Sequence, residues 1–163
     1  MSPKGDGAGT RDGGFRLDAY LPYRLSVASN AVSGLIARAY QDRFGLTVPQ
    51  WRLICVLAED GGLTQGQLVA RTMMDKVTVS RSAQGLLKRH LVIRSDHHAD
   101  GRSHVLALTP DGAGLHAEIA PLALAYEAAL IAGLERDEVA LLKRLLFRLQ
   151  AAAGQLAGDA AGG

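Results

Sequence analysis

The chain has 163 residues, 48% of them hydrophobic, enough to bury one real core without metals or disulfides. Aromatic residues make up only 5% of the chain, which disfavours a β-sandwich and points to helices built on Ala and Leu. The formal net charge is +2 and there is one cysteine, Cys55, so an intramolecular disulfide and a cysteine-based zinc cluster are excluded.

In chain order, residues 1–14 are rich in Gly and Asp, lack periodicity and read as a disordered tail with no apolar signal segment. Leu21, Leu25, Ala28, Val32, Leu35, Ile36 and Ala39 then recur at helical spacing, predicting a long first helix over 18–44 that stops at Gly45. Thr47 and Gln50 form a capping box opening a helix over Trp51–Glu59, closed by Asp60-Gly61-Gly62. Thr64 and Gln67 form a second capping box, starting a short helix to about Arg71.

Asp75 is the predicted N-cap of the next helix, in which Val79, Ala83 and Leu86 make one apolar stripe. With that stripe buried, Lys76, Thr78, Ser80, Arg81 and Gln84 turn outward as a polar set able to reach base edges or phosphates. Two runs of β-formers follow, Leu91–Arg94 and His104–Leu108, around a hairpin signal at Asp100-Gly101. A short helix, a tight connection, a polar-faced helix and a basic-tipped hairpin make a winged helix-turn-helix.

Charge distribution supports the same reading. Between Arg71 and His104 there are seven Lys or Arg against three Asp, a local excess of four positive charges on an otherwise balanced chain. Such a patch is the footprint of a polyanion, here double-stranded DNA.

After the hairpin, Thr109-Pro110 is a helix start, and Leu115, Ile119, Leu122, Tyr126 and Leu130 form a stripe ending near Gly133. A last helix carries Val139, Leu142, Leu145, Leu146 and Leu149, and 152–163 reads as a second disordered tail. The fold class is therefore mainly α with a small β-hairpin wing. The boundaries are a dimerisation helix over 15–46, a winged helix-turn-helix over 47–108 and C-terminal dimerisation helices over 109–151. A homodimer is expected because the central module is too small to cover the terminal stripes, and because such readers pair for half-sites about one DNA turn apart.

The run LTVPQWRLICVLAEDGGLTQGQLV, then DKVTVSRSAQGLLKRHLVIR and DGRSHVLALTPDG, resembles the MarR family of bacterial transcription regulators. The match spans about Leu21 to Leu149. The resemblance implies a dimer with its recognition helix in the major groove and its wing tip in the minor groove. On matching positions it makes Arg81 the recognition-helix arginine and Asp100 and Arg102 the wing pair. Arg94, on the first wing run, joins the DNA-facing set. Ser82, Gly85, Leu87 and His90 depart from the family pattern, which leaves the operator sequence open.

Many members of the family are repressors released by small aromatic compounds. Tyr23, Arg24, Ser26, Ser29 and Asn30 on the first helix, with Trp51 and Met74 as apolar walls, are the candidate ligand residues; Arg24 suggests an aromatic acid or its CoA thioester. The same residues serve equally well as interface hydrogen bonds. An effector-independent or metal-sensing DNA-binding protein remains the alternative. The Asp96-His97-His98 run with Asp100 and His104 also fits a metal-dependent phosphoesterase, but no second Asp/His set completes a dinuclear centre. No enzyme activity, no cofactor and no metal are expected, and the compartment expected is the cytoplasm.

Overall fold

The computed structural model describes residues 14–96 and 104–161; the wing tip with Asp100 and Arg102 lies outside them. A 3-10 turn, Leu17–Ala19, leads into α1 (Leu21–Phe44), followed by α2 (Val48–Asp60), β1 (Leu63–Thr64), α3 (Gln65–Thr72) and α4 (Lys76–Lys88). Then come β2 (Val92–Asp96), β3 (His104–Leu108), α5 (Pro110–Leu130) and α6 (Arg136–Ala161). This is a mainly helical fold with a three-stranded antiparallel sheet ordered β1-β3-β2, the winged helix-turn-helix expected.

Local signals placed the helix boundaries. Thr47 and Thr64 each accept a hydrogen bond from the amide three residues on, while Gln50 and Gln67 reach back to the cap amides. Gly45 ends α1 in the left-handed region at φ 62°. Thr109 caps α5 by accepting from the Gly112 amide at 3.0 Å. Strand β1 was not foreseen: two residues carry no periodicity. Leu63 and Thr64 pair with Leu106 and Val105. Gly62 permits the approach, since a Cβ there would stand 2.7 Å from Val105 Cγ1.

The core sits in the middle of the chain. Leu46, Leu53, Ile54, Leu68, Val79, Leu86 and Ile119 are fully buried, with Leu91, Val92 and Leu106 sealing it from the sheet side. The expected C-terminal coil over 152–163 is corrected: α6 continues to Ala161. Ala and Leu dominate that segment, and their low helix cost outweighs Gly154 and Gly158. Helix α6 is also nearly bare, exposed along its described length apart from Val139. No described helix is long and apolar enough to cross a membrane.

Candidate nucleic-acid interface

Helix α3 ends at Met73, held left-handed at φ 55°, and Thr72 donates its hydroxyl to the Leu68 carbonyl at 2.6 Å. The chain then turns within two residues into α4. Asp75 caps α4 through both carboxylate oxygens, accepting from the Thr78 amide at 2.8 Å and the Thr78 hydroxyl at 2.5 Å. These bonds, the hydroxyl's first, hold the Asp75 carboxyl below the usual carboxylate range.

The predicted stripe is buried as expected: Val79 and Leu86 fully, Ala83 nearly so. Lys76, Arg81 and Gln84 are exposed and Ser80 is half-buried. Thr78 stands apart from this set, because its hydroxyl is engaged by Asp75. Val77 takes its place on the outer face at 56% exposure. Helical phase could have found it, one turn before Arg81, but apolar character argued against looking. An apolar side chain there suits a thymine methyl.

The basic patch also sorts itself. Arg71 is turned back to Asp60, to which its Nη2 donates at 3.0 Å, and to Glu59 at 3.3 Å. Arg89 is turned to backbone carbonyls at the end of α1. Lys76, Arg81, Lys88 and Arg94 remain exposed for an anionic partner.

Between α4, the start of α3 and the sheet lies a cleft of about 510 Å³. Thr64, Gln65, Ser80, Gln84, Arg94 and His104 supply its polar lining, and Leu87 and Leu106 its apolar floor. The departures Ser82 and Gly85 face the protein instead. Ser82 is 7% exposed, and a Cβ on Gly85 would overlap the Gln50 side-chain amide. Gly85 thus lets the start of α2 approach the recognition helix closely. His90, where glycine is usual, adopts φ 55° itself.

The model of the MarR family matches residues 44–103. A MarR-family transcriptional regulator from Silicibacter pomeroyi DSS shares 30% identity over 84% of this chain and 91% of its own, with a TM-score of 0.73. The chain belongs to the MarR family. A probable transcriptional regulator from Pseudomonas aeruginosa is 32% identical over 82% of this chain and 99% of its own, TM-score 0.75. BpsR of Bordetella bronchiseptica, whose DNA binding is regulated by 6-hydroxynicotinic acid, is 26% identical over 85% of this chain and 98% of its own, TM-score 0.80. No curated protein matches the sequence significantly. This MarR protein is a DNA-binding transcriptional regulator with a winged helix-turn-helix reader.

The candidate ligand residues of this MarR protein are not gathered round one cavity. Tyr23, Arg24, Ser26, Ser29 and Asn30 are exposed along the first half of α1. Met74 is a core residue. Trp51 is half-buried, stacked on His116 with ring centres 5.5 Å apart and edge-on to Tyr40 at 5.4 Å. The cavity that does form between α1 and α5 has a volume of about 200 Å³ and is lined by Val32, Leu35, Ile36, Tyr40, Tyr126 and Leu130, among others. Tyr40 is 2% exposed. Glu127 at the rim is paired with Lys143 of α6 at 2.8 Å. Residue spacing could not reveal this cavity, because its two walls are more than eighty positions apart.

Cys55 on α2 is half-buried, and burial pushes its thiol up to about 12. It stays protonated at neutral pH and behaves as a small apolar residue.

Proposed function

We propose that two copies associate through α1, α5 and α6 into a homodimer that binds a pseudo-palindromic operator and represses the adjacent promoter. The observation that carries DNA reading is the outer face of α4, where Lys76, Val77, Arg81 and Gln84 are exposed beside a polar cleft. Lys76 and Arg94 suit phosphates, while Ser80, Arg81 and Gln84 are placed to meet base edges in the major groove. Thr78 serves mainly as the capping partner of Asp75. Asp100 and Arg102, beyond the described residues, are assigned to the wing tip, where a narrow minor groove attracts an arginine.

The homodimer reading draws on the bare α6. Leu142, Leu145, Leu146 and Leu149 share one side of that helix and stay 39–44% exposed, an apolar face that a second copy would cover.

Release by a small aromatic acid or its CoA thioester completes the reading, with the α1–α5 cavity as the effector's seat. A cavity of roughly 150 Å³ accommodates a benzene ring, so about 200 Å³ suits one substituted ring and leaves a CoA tail outside. Tyr40, one of the lining residues, is the hydrogen-bonding partner assigned to the effector's polar group. The regulation of the Bordetella relative by a hydroxylated aromatic acid supports the same chemistry. The protein then acts in the cytoplasm, associated with the nucleoid when bound.

Footprinting and mobility-shift titration on the DNA flanking its own gene, with 6-hydroxynicotinic acid and a panel of aromatic acids and CoA thioesters, test the reading. A protected inverted repeat released by one compound is the expected result. Tight binding unmoved by every compound removes the effector half, and absence of sequence-specific binding removes the whole.

A further inference from the structure

We propose that Arg89 is the positioning residue that ties the recognition helix to the dimerisation scaffold and sets the distance between the two readers of a dimer. This rests on the homodimeric operator-binding reading above. Helix α4 ends at Lys88, and Arg89 is its C-cap. Its Nη1 donates to the Gly45 carbonyl and its Nη2 to the Phe44 carbonyl, each at 2.9 Å. The contact closes a loop of more than forty residues onto the last turn of α1. Carbonyls there have no amide partner within the helix and sit at its negative end, so a guanidinium is well matched to them. Two donors in one rigid plane define an orientation as well as a separation.

The same joint is gripped from the other side. Thr109 donates its hydroxyl to the His90 carbonyl at 2.8 Å, and its amide to the Leu91 carbonyl at 3.1 Å. Gly112 in the first turn of α5 lies so close to the Leu91 carbonyl that a Cβ would overlap it. The segment leaving α4 is therefore held between the end of α1 and the start of α5.

Those two helices also form the walls of the 200 Å³ cavity. Tyr40 links cavity and joint within one residue. Its ring lines the cavity, while its carbonyl accepts from the Gly45 and Leu46 amides and so shapes the turn that Arg89 holds. An occupant that displaces Tyr40 displaces that turn, and Arg89 carries the displacement to α4. Occupancy then biases the reader spacing, the quantity on which a two-half-site operator is most selective.

The test uses the full-length protein and its footprinted operator, with versions lengthened or shortened by one and two base pairs between half-sites. Affinities are measured for the native chain, Arg89→Ala and Arg89→Lys, each across a salt titration. The native chain is expected to lose about tenfold or more in affinity when the spacing changes, and Arg89→Ala to flatten that loss to under about threefold. Arg89→Lys, which keeps the charge but not the planar pair of donors, is expected to fall between. All three should share one salt slope. A spacing profile unchanged in Arg89→Ala overturns the proposal, and so does a salt slope lowered by about one unit at unchanged spacing preference, which marks a plain phosphate contact. Should Arg89→Ala fail to fold, Arg89→Lys decides alone: native selectivity in it overturns the proposal and partial flattening supports it. Absence of any inverted-repeat binding by the native chain is a different failure, because it removes the operator-binding reading and this proposal with it.

Discussion

Helix α4 and helix α6 carry apolar stripes of the same helical kind, yet one is inside the protein and the other is not. Val79 and Leu86 of α4 are fully buried against α2 and the sheet, whereas Leu142, Leu145, Leu146 and Leu149 of α6 remain 39–44% exposed. Period shows which face of a helix is apolar. It does not show whether the covering surface lies in the same chain. For α4 the cover is local, supplied by helices and strands within some forty residues. For α6 no described element supplies it, and a helix of 26 residues with one bare apolar face gains most of its stability from whatever packs against it.

The largest test of that contrast replaces one leucine in each helix. Leu86→Ala should lower the unfolding free energy by about 2–5 kcal/mol, as cavity-forming changes do, while Leu145→Ala should leave the monomer's value nearly unchanged. Urea titrations at several protein concentrations separate the two, and equal losses in dilute protein would break the comparison. Next in size is association. Leu145→Glu with Leu146→Glu puts charge into the proposed interface and should weaken the dimer by at least about 100-fold, with the winged helix still folded. Sedimentation velocity beside near-ultraviolet dichroism reads both properties; a variant that stays dimeric would place the interface elsewhere.

A smaller effect concerns the outer face of α4, proposed above to meet DNA. Lys76→Ala should weaken binding to all sequences alike and reduce the salt slope by about one unit, with no change in protein stability. A sequence-dependent loss would move Lys76 from phosphate to base recognition.

The smallest is the pH dependence of the α4 cap. The folded Asp75 carboxyl lies below its ordinary value, so its contribution is present above the usual carboxylate range. That contribution is lost as pH falls from about 5 through the folded value. Asp75→Asn keeps an acceptor but does not titrate, and should flatten that part of the acid-unfolding curve. Identical curves for the two proteins would show that other carboxylates govern it.

Local signals made much of this molecule legible in advance. Capping boxes at Thr47 and Thr64, the Asp75 cap and the Thr109-Pro110 start act within four residues, so their geometry follows from neighbours in the chain. The same holds for the phase that brings Lys76, Arg81 and Gln84 outward. Long-range choices were not legible. Arg71 and Arg89 look like any other members of the basic patch until Asp60 and the end of α1 are seen beside them. Gly85 reads as a weak point in a helix, and only its contact with Gln50 explains it. The expected ligand set joined residues by type, whereas the α1–α5 cavity was made by two helices whose contact no periodicity encodes. Sequence alone determined where each helix starts and which face it shows, because backbone hydrogen bonds and side-chain period are local. Tertiary structure alone decided which cations stay exposed and where a cavity opens between α1 and α5, because both depend on which distant surfaces meet.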